Sequence, residues 1–322
     1  MTRAALLLLA AAAAGRAEIP IVALPASSPL VDFRIVFLTG AAYDPTGKAG
    51  TAHLTASLLA GGGTRDLTYP QIVDTLFPAG ASVSAQTDKE MIVFHGSTHI
   101  DNLEKYYGLV RAMILEPGWR DDDFRRVRDD AVNFLRVTLR ANNDEELAKE
   151  ALYETIYRGR PYGRHNAGSA ASLQSLTVGD LRRFYQAQFT QANLVLGIAG
   201  GFPAAFPARM RKDFASLPEG APVPRSLPPP VAVSGMTALL IEKETRSVAF
   251  SLGFPIAVQR GDPDFPALLV AQSYLGQHRS SAGRLFDRIR EVRGLNYGDY
   301  AYIEYFPRGM FRFEPEPNLV RR

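Results

Sequence analysis

The chain has 322 residues, 46% of them apolar and 21% charged, which is typical of a globular protein long enough for two domains. Its formal charge of +3 falls to +1 without residues 1–17, because that segment holds Arg3 and Arg16 and no acidic residue. A charge so close to zero does not favour a nucleic-acid-binding protein. The lack of cysteine excludes disulfide bonds and thiolate metal ligands.

Residues 1–17 have the pattern of an export signal. Arg3 gives a positive start, residues 4–14 form an unbroken apolar run, and residues 15–17 place small side chains where a signal peptidase cleaves. The alternative, a membrane anchor, is disfavoured because spanning a bilayer takes about 20 apolar residues. No later segment of the sequence is long and apolar enough to span. We therefore expect a signal peptide at residues 1–17 and an exported, periplasmic protein without a membrane span.

Strands and helices follow one another in the first half of the chain without strict alternation, which predicts an α+β fold. Branched and aromatic residues predict strands at residues 19–24, 31–38, 82–96 and 193–198. Apolar residues at helical spacing, together with capping residues, predict helices at residues 50–64, 69–77, 101–115, 121–140, 144–158, 178–188 and 204–214.

A proline-rich stretch at residues 216–235 separates the two halves. Its prolines favour a stiff, extended connector, so we predict domains at residues 18–215 and 236–322. In the second half we predict strands at residues 237–242, 247–254, 296–306 and 310–314, and helices at residues 265–275 and 283–293. The order strand, strand, helix repeats the start of the first half, which suggests duplication. Because the second half is much the shorter, we expect it to be an incomplete copy.

The helix within residues 50–64 carries the most informative pattern in the chain. It begins at a glycine, ends in a run of glycines, and places His53, Ala56 and Ser57 on one face. A His-x-x-Glu-His zinc motif in this frame would present two imidazoles and a catalytic carboxylate on that face. Only the first imidazole is present, so the face lacks the carboxylate and the second imidazole.

The other histidines are weaker candidates for a metal site. His95 and His99 are four residues apart and would share one face of a strand, but two side chains make an incomplete site. His165 and His278 are isolated in the sequence, and we expect each of them in a loop or on the surface.

Several motifs in the chain have the order and spacing of a known family. They are Gly-Thr-Ala-His at residues 50–53, Gly-Gly-Gly-Thr at 61–64, the helix at 69–77, Tyr-Gly-Arg at 162–164, residues 173–185 followed by Asn-Leu-Val at 193–195, and Gly-Arg-Leu-Phe-Asp-Arg-Ile-Arg-Glu-Val-Arg-Gly-Leu-Asn-Tyr at 283–297. This pattern resembles the insulinase (pitrilysin-like) family of zinc peptidases, including the mitochondrial processing peptidase type. The resemblance implies two related α/β sandwich halves, of which the second is incomplete here.

The resemblance also implies roles for single positions. Members of the family bind zinc through both histidines of the motif and a more distant glutamate, while the motif glutamate acts as general base. Carried over, His53 keeps the first ligand position, Ala56 replaces the base and Ser57 replaces the second ligand. The distant glutamate falls near Phe134, where the sequence has no carboxylate. We therefore expect no catalytic residue and no metal in this chain, with His53 as a residual ligand position.

A possible substrate contact remains in the second half. Family members carry an arginine and a tyrosine seven residues apart, thought to bind the substrate backbone, and Arg290 and Tyr297 match that spacing. A guanidinium can hold a peptide carbonyl, and a phenol can donate to an oxyanion. The alternative is that Arg290 is a solvated helix residue and Tyr297 an ordinary strand residue.

The resemblance implies a catalytically inactive subunit that pairs with a homologous zinc-bearing subunit to bind and process peptides. In that pair the partner supplies the zinc and the general base. One alternative is a peptide-binding or structural scaffold without enzymatic activity. Another is an active metallopeptidase with substitute ligands, for example His95 or His99.

Overall fold

The structure is a computed structural model. It describes residues 18–224, 234–245, 247–256, 258–259, 261–277, 280–296, 298–303 and 319–320.

Within this part of the chain, the first half is built on a mixed five-stranded sheet. Its strands are β1 (Ile21–Pro25), β2 (Leu30–Phe37), β3 (Ser84–Thr87), β4 (Ile92–His99) and β5 (Leu194–Gly200). In space the order is β1-β5-β2-β4-β3, with β1 parallel to β5 and the other neighbours antiparallel. The central strand β2 alternates strictly, burying Val31, Phe33, Ile35 and Phe37 on one face.

The helices of the first half lie close to their predicted positions, except the short α6, which was not predicted. They are α1 (Thr51–Gly61), α2 (Tyr69–Leu76), α3 (Leu103–Leu115), α4 (Asp121–Asn133), α5 (Asp144–Ile156), α6 (Ala170–Ser175), α7 (Val178–Gln188) and α8 (Phe206–Phe214). Capping side chains explain where two of these helices begin. The Thr177 hydroxyl accepts from the Asp180 N–H at the start of α7, and Asn143 accepts from the Glu146 N–H at the start of α5.

Helix α4 continues directly into a π-helix at Phe134–Leu139. In this segment the backbone bonds span five residues: the Arg140 N–H donates to the Leu135 carbonyl, and the Asn142 N–H donates to the Val137 carbonyl. Such π-helical turns are rare and occur mostly near functional sites.

Helix α1 is buried on two sides. Ala52, Ala56 and Leu59 belong to the main core, which also contains the inner faces of β2, β4 and β5 and the side chains of α3 and α8. Leu54 and Leu58 belong to a second core formed with α4, the π-helix, α6 and α7. The helix that carries the motif is therefore held rigidly by apolar packing from both cores.

The predicted strand at residues 82–96 is wrong in one respect, because the structure has a hairpin of β3 and β4 there. The chain turns where the Asp88 N–H donates to the Met91 carbonyl. The strand-like residues on either side hid the turn, which the polar residues 88–90 form.

In the second half, the described residues include α9 (Phe265–Gly276), a π-helix at Phe286–Glu291 and two paired two-residue strands, β6 (Val258–Gln259) and β7 (Leu319–Val320). The predicted strands at residues 237–242 and 247–254 are wrong within this part of the chain, since neither stretch forms a strand there. Within residues 296–306, where a strand was predicted, the described residues form no strand. The strand predicted at residues 310–314 lies outside the described residues.

The structure thus has an α+β first half with a complete helix-covered sheet, and a second half with far less packed structure in the described residues. This agrees with the predicted α+β class and with an incomplete second half.

Candidate functional site

The start of α1 is fixed by Gly50 and Asp44. The Asp44 carboxylate accepts the N–H groups of Gly50 and Ala52 at 2.6 and 2.7 Å, so it satisfies donors that a helix start leaves open. Gly50 has a φ of +92°, and a Cβ there would lie 2.6 Å from the Ala167 carbonyl oxygen. Only glycine fits this position, and the helix therefore begins against the loop that contains Ala167.

Asp44 is half-buried, and the desolvation of its carboxyl raises its pKa to about 7. The two N–H bonds and the positive charges of Arg164 and Lys89 act against this rise but do not cancel it. The motifs of the sequence did not point to this residue. The only available signal was an acidic residue six positions before the glycine that opens the helix.

The motif face of α1 has one titratable side chain. Ala56 has no exposed surface and lies in the main core, whereas His53 and Ser57 are half-buried. Burial, together with a smaller effect of the neighbouring His165, lowers the pKa of His53 to about 4. His53 is therefore a neutral imidazole near pH 7.

His165 is isolated in the sequence but not in space. It lies in a loop, as expected, but it is half-buried and close enough to His53 to affect its charge. Its Nδ1 accepts the Ala167 N–H at 3.1 Å. Burial, with smaller effects of Lys89 and Arg140 and against an opposing effect of Glu146, lowers the pKa of His165 to about 4. The signal was available, since His165 directly follows the Tyr-Gly-Arg motif.

Phe134 also belongs to this site. It is the first residue of the π-helix, and its ring centroid lies 6.1 Å from that of His165 at an interplanar angle of 41°. The three side chains His53, His165 and Phe134 thus bring together α1, the loop after α5 and the end of α4. We call this group the residual pocket.

The residues present do not fit a catalytic zinc. Within the described part of the chain, no group of three or more His, Cys, Asp or Glu side chains could hold a metal ion. Ala56 has no donor atom, and Phe134 is apolar. A catalytic zinc needs three protein ligands and a general base for its water, so these residues support no metal-dependent step.

His95 and His99 do not complete such a site among the described residues. Both lie on β4, where His95 pairs in register with Arg34 and Ser84. The Nδ1 atom of His99 lies 3.2 Å from the Asp101 carboxylate.

Arg290 lies in the second π-helix. Its guanidinium carbon is 4.7 Å from the centroid of the Phe286 ring, and its Nε is 3.9 Å from the Glu291 carboxylate. Tyr297, the other half of the predicted substrate contact, lies outside the described residues, as does His278.

Across the described residues, no helix combines the length and apolar character needed to cross a bilayer.

Two family models match consecutive parts of the chain. The model described as "Insulinase (Peptidase family M16)" matches residues 22–170, and the one described as "Peptidase M16 inactive domain" matches residues 175–314. Together they cover most of the chain in the order of the family.

Similar proteins support the same assignment. An uncharacterized zinc protease of Mycobacterium leprae is 27% identical over 263 residues, which are 80% of this chain and 57% of the relative. The chain thus spans little more than half the length of that relative.

Two solved structures have the same fold. The peptidase M16 inactive domain from Pseudomonas fluorescens has a TM-score of 0.72 and 23% identity, over 90% of this chain and 69% of that one. The periplasmic protease PqqL from Escherichia coli has a TM-score of 0.56 and 17% identity, over 65% of this chain and 24% of that one. The motifs, the fold and the matches to both family models lead to one conclusion: the chain belongs to the insulinase family.

Proposed function

We propose that this chain is a catalytically inactive insulinase-family subunit that pairs with a homologous zinc-bearing subunit to bind and process peptides. The observation that carries the proposal is the motif face of α1. Where the family has its base, this chain has Ala56, which is wholly enclosed by the main core. Where the distant ligand belongs, it has Phe134 against His165.

In such a pair the partner would hold the zinc and activate its water. This chain would form part of the wall that encloses the peptide, and Arg290 and Tyr297 would contact the peptide backbone. The guanidinium of Arg290 is only partly enclosed, with 34% of its side chain exposed, so a peptide carbonyl could reach it.

The proposal is tested by co-expressing the chain with a zinc-bearing homologue from the same genome and measuring hydrolysis of a fluorogenic peptide library. We expect a complex that elutes together, hydrolyses peptides and loses activity with a chelator, while the purified chain alone contains no stoichiometric zinc. One equivalent of zinc and chelator-sensitive hydrolysis in the isolated chain would instead identify an active peptidase. Peptide binding without any stimulation of a homologue would identify a scaffold.

The substrate contact is tested in the same complex. Arg290→Ala with Tyr297→Phe should lower kcat/KM by on the order of tenfold to a hundredfold, since each removes one polar contact to the reacting peptide. The matched control is Arg288→Ala with Tyr274→Phe, which removes the same groups at exposed positions nearby. If both double variants keep full activity, Arg290 and Tyr297 do not bind the peptide.

We also propose that the chain is exported. The support is the pattern of residues 1–17 and the fold shared with a periplasmic protease. Fractionation of cells that express the full chain should find it in the periplasm with residues 1–17 removed. Retention in the cytoplasm with an intact start would refute export.

A further inference from the structure

One side chain of the second half reaches into the first. The Lys243 ammonium lies 2.8 Å from the carbonyl oxygen of Arg140, 3.0 Å from that of Ala141 and 2.6 Å from Oδ1 of Asp144. These three partners connect the end of the first π-helix to the start of α5. Only 22% of the Lys243 side chain is exposed.

The chemistry of this contact is that of a helix cap. Carbonyl groups that follow the end of a helix have no partner within it, and a cation placed there is favourable. The Lys243 ammonium donates to both carbonyls, and its charge lies against the Asp144 carboxylate. The contact differs from an ordinary surface ion pair, which contributes little by itself, because the ammonium also donates to two backbone carbonyls.

Other side chains hold the same region from the second half. The Thr245 hydroxyl donates to Asp144 at 2.5 Å, and the Tyr300 hydroxyl donates to Glu145. Lys149 lies over the rings of Tyr300 and Tyr302, 5.9 and 5.8 Å from their centroids. The first turns of α5 are therefore held by two separate segments of the second half.

The π-helix that Lys243 caps also shapes the residual pocket. Phe134 at its start faces His165, and Arg140 at its end pairs with Glu150 of α5 at 2.8 Å. A π-helix is an uncommon arrangement that persists where its surroundings support it. Capping its end therefore affects where its first residue lies.

We propose that Lys243 is a positioning residue through which the second half of the chain fixes the first π-helix, and with it the Phe134 side of the residual pocket. This goes beyond the proposed subunit function, because the contact operates within a single chain and needs no partner. Any event that moves the segment around Lys243 then changes the pocket on α1.

The test is hydrogen exchange, followed by mass spectrometry, on the full chain without a partner. Lys243→Met keeps most of the apolar stem but removes the donors. We expect amides in residues 134–143 to exchange on the order of tenfold faster, the scale of a partly buried cation at a helix end. Strands β2 and β5 should be unaffected. Lys243→Arg should restore most of the protection, and Lys212→Met is the matched control on α8.

Asp144→Asn separates the cap from the ion pair. It removes the charge partner but leaves the two carbonyl contacts, so residues 134–143 should keep most of their protection. If Asp144→Asn speeds exchange in residues 134–143 as much as Lys243→Met does, the ion pair rather than the cap holds the segment. That result would overturn the proposal.

A second readout is the imidazole resonance of His165 at fixed pH, which reports the position of the Phe134 ring. It should shift in Lys243→Met and return in Lys243→Arg. Unchanged exchange in residues 134–143, or an equal increase throughout the sheet, would overturn the proposal. Lys243 adds no side chain to either core, so these variants are expected to fold.

Discussion

At the scale of single residues, the residual pocket is defined by how two imidazoles are enclosed. His53 and His165 lie close together, and burial lowers the pKa of both to about 4. Family resemblance identified His53 as a ligand position, but it gave no role to His165. Proximity across a loop cannot be read from spacing along the chain. The position of His165 after the Tyr-Gly-Arg motif was a signal, but its closeness to His53 emerged only from the structure.

The lowered pKa values predict how stability depends on pH. A histidine whose pKa is lower in the folded state adds stability above its unfolded value of 6.5, and that stability is lost as the pH falls toward 4. The free energy of unfolding should fall by about 1–2 kcal/mol for each histidine. This is less than the full pKa shift would give, because the two groups interact. His165→Gln should therefore lose less free energy of unfolding between pH 6.5 and 4.5 than the unchanged protein does.

Chemical denaturation at a series of pH values measures this difference. Asp44 works in the opposite direction, because its raised pKa adds stability below pH 3.8 that is lost as the pH rises through about 7. That contribution is the same in both proteins and cancels in the comparison. His99→Gln is the control, since His99 lies at the end of β4 with 42% of its side chain exposed. Parallel pH curves for His165→Gln and the unchanged protein would refute the prediction.

At the scale of elements, the position of α1 depends on its first residue. Gly47 and Gly50 both have a positive φ, but only Gly50 is crowded, by Ala167 and Leu173. Gly50→Ala should therefore cost about 3 kcal/mol or more, the sum of a left-handed backbone and a backbone clash.

Gly47→Ala is the matched control, because nothing lies within 4 Å of a Cβ at that position. It should cost only about 1 kcal/mol, the cost of the backbone conformation alone. Thermal unfolding of Gly50→Ala and Gly47→Ala measures the two losses of stability. Equal losses would mean that α1 can shift away from the loop that contains Ala167.

Sequence patterns were sufficient wherever an element is determined by its own residues. Helix α7 was predicted at its observed bounds, because Thr177 and Asp180 form a capping box and the apolar spacing is regular. The hairpin at β3 and β4 was missed because a turn of three polar residues interrupts an otherwise continuous strand pattern. The stretch at residues 247–254 has strand-like alternation, but a strand also needs a partner, and no local pattern supplies one.

At the scale of the whole molecule, the two halves differ in how far their apolar residues are enclosed. The first half buries the inward-facing side chains of β2 almost completely, whereas Val248, Phe250, Leu252 and Phe254 are 77%, 91%, 86% and 59% exposed. Among the described residues, none between 236 and 256 takes part in a backbone–backbone hydrogen bond. Exposed apolar alternation of this kind promotes association between chains.

Phe250→Ser with Leu252→Ser should therefore reduce self-association without lowering the melting temperature. Size-exclusion chromatography with light scattering and thermal unfolding measure the two effects. Phe33→Ser is the control for the second measurement, because that ring lies in the main core and its removal should cost about 3–5 kcal/mol. A double variant as destabilised as Phe33→Ser would show that the exposed residues are enclosed in solution.

The complete enclosure of Ala56 has a consequence for substitutions at that position. A glutamate at that position would need room that neighbouring core side chains now occupy, and its charge would lose its hydration. Ala56→Glu would therefore carry a folding penalty. Under the proposed inactive role, packing of this kind would keep one substitution at this position from restoring a general base.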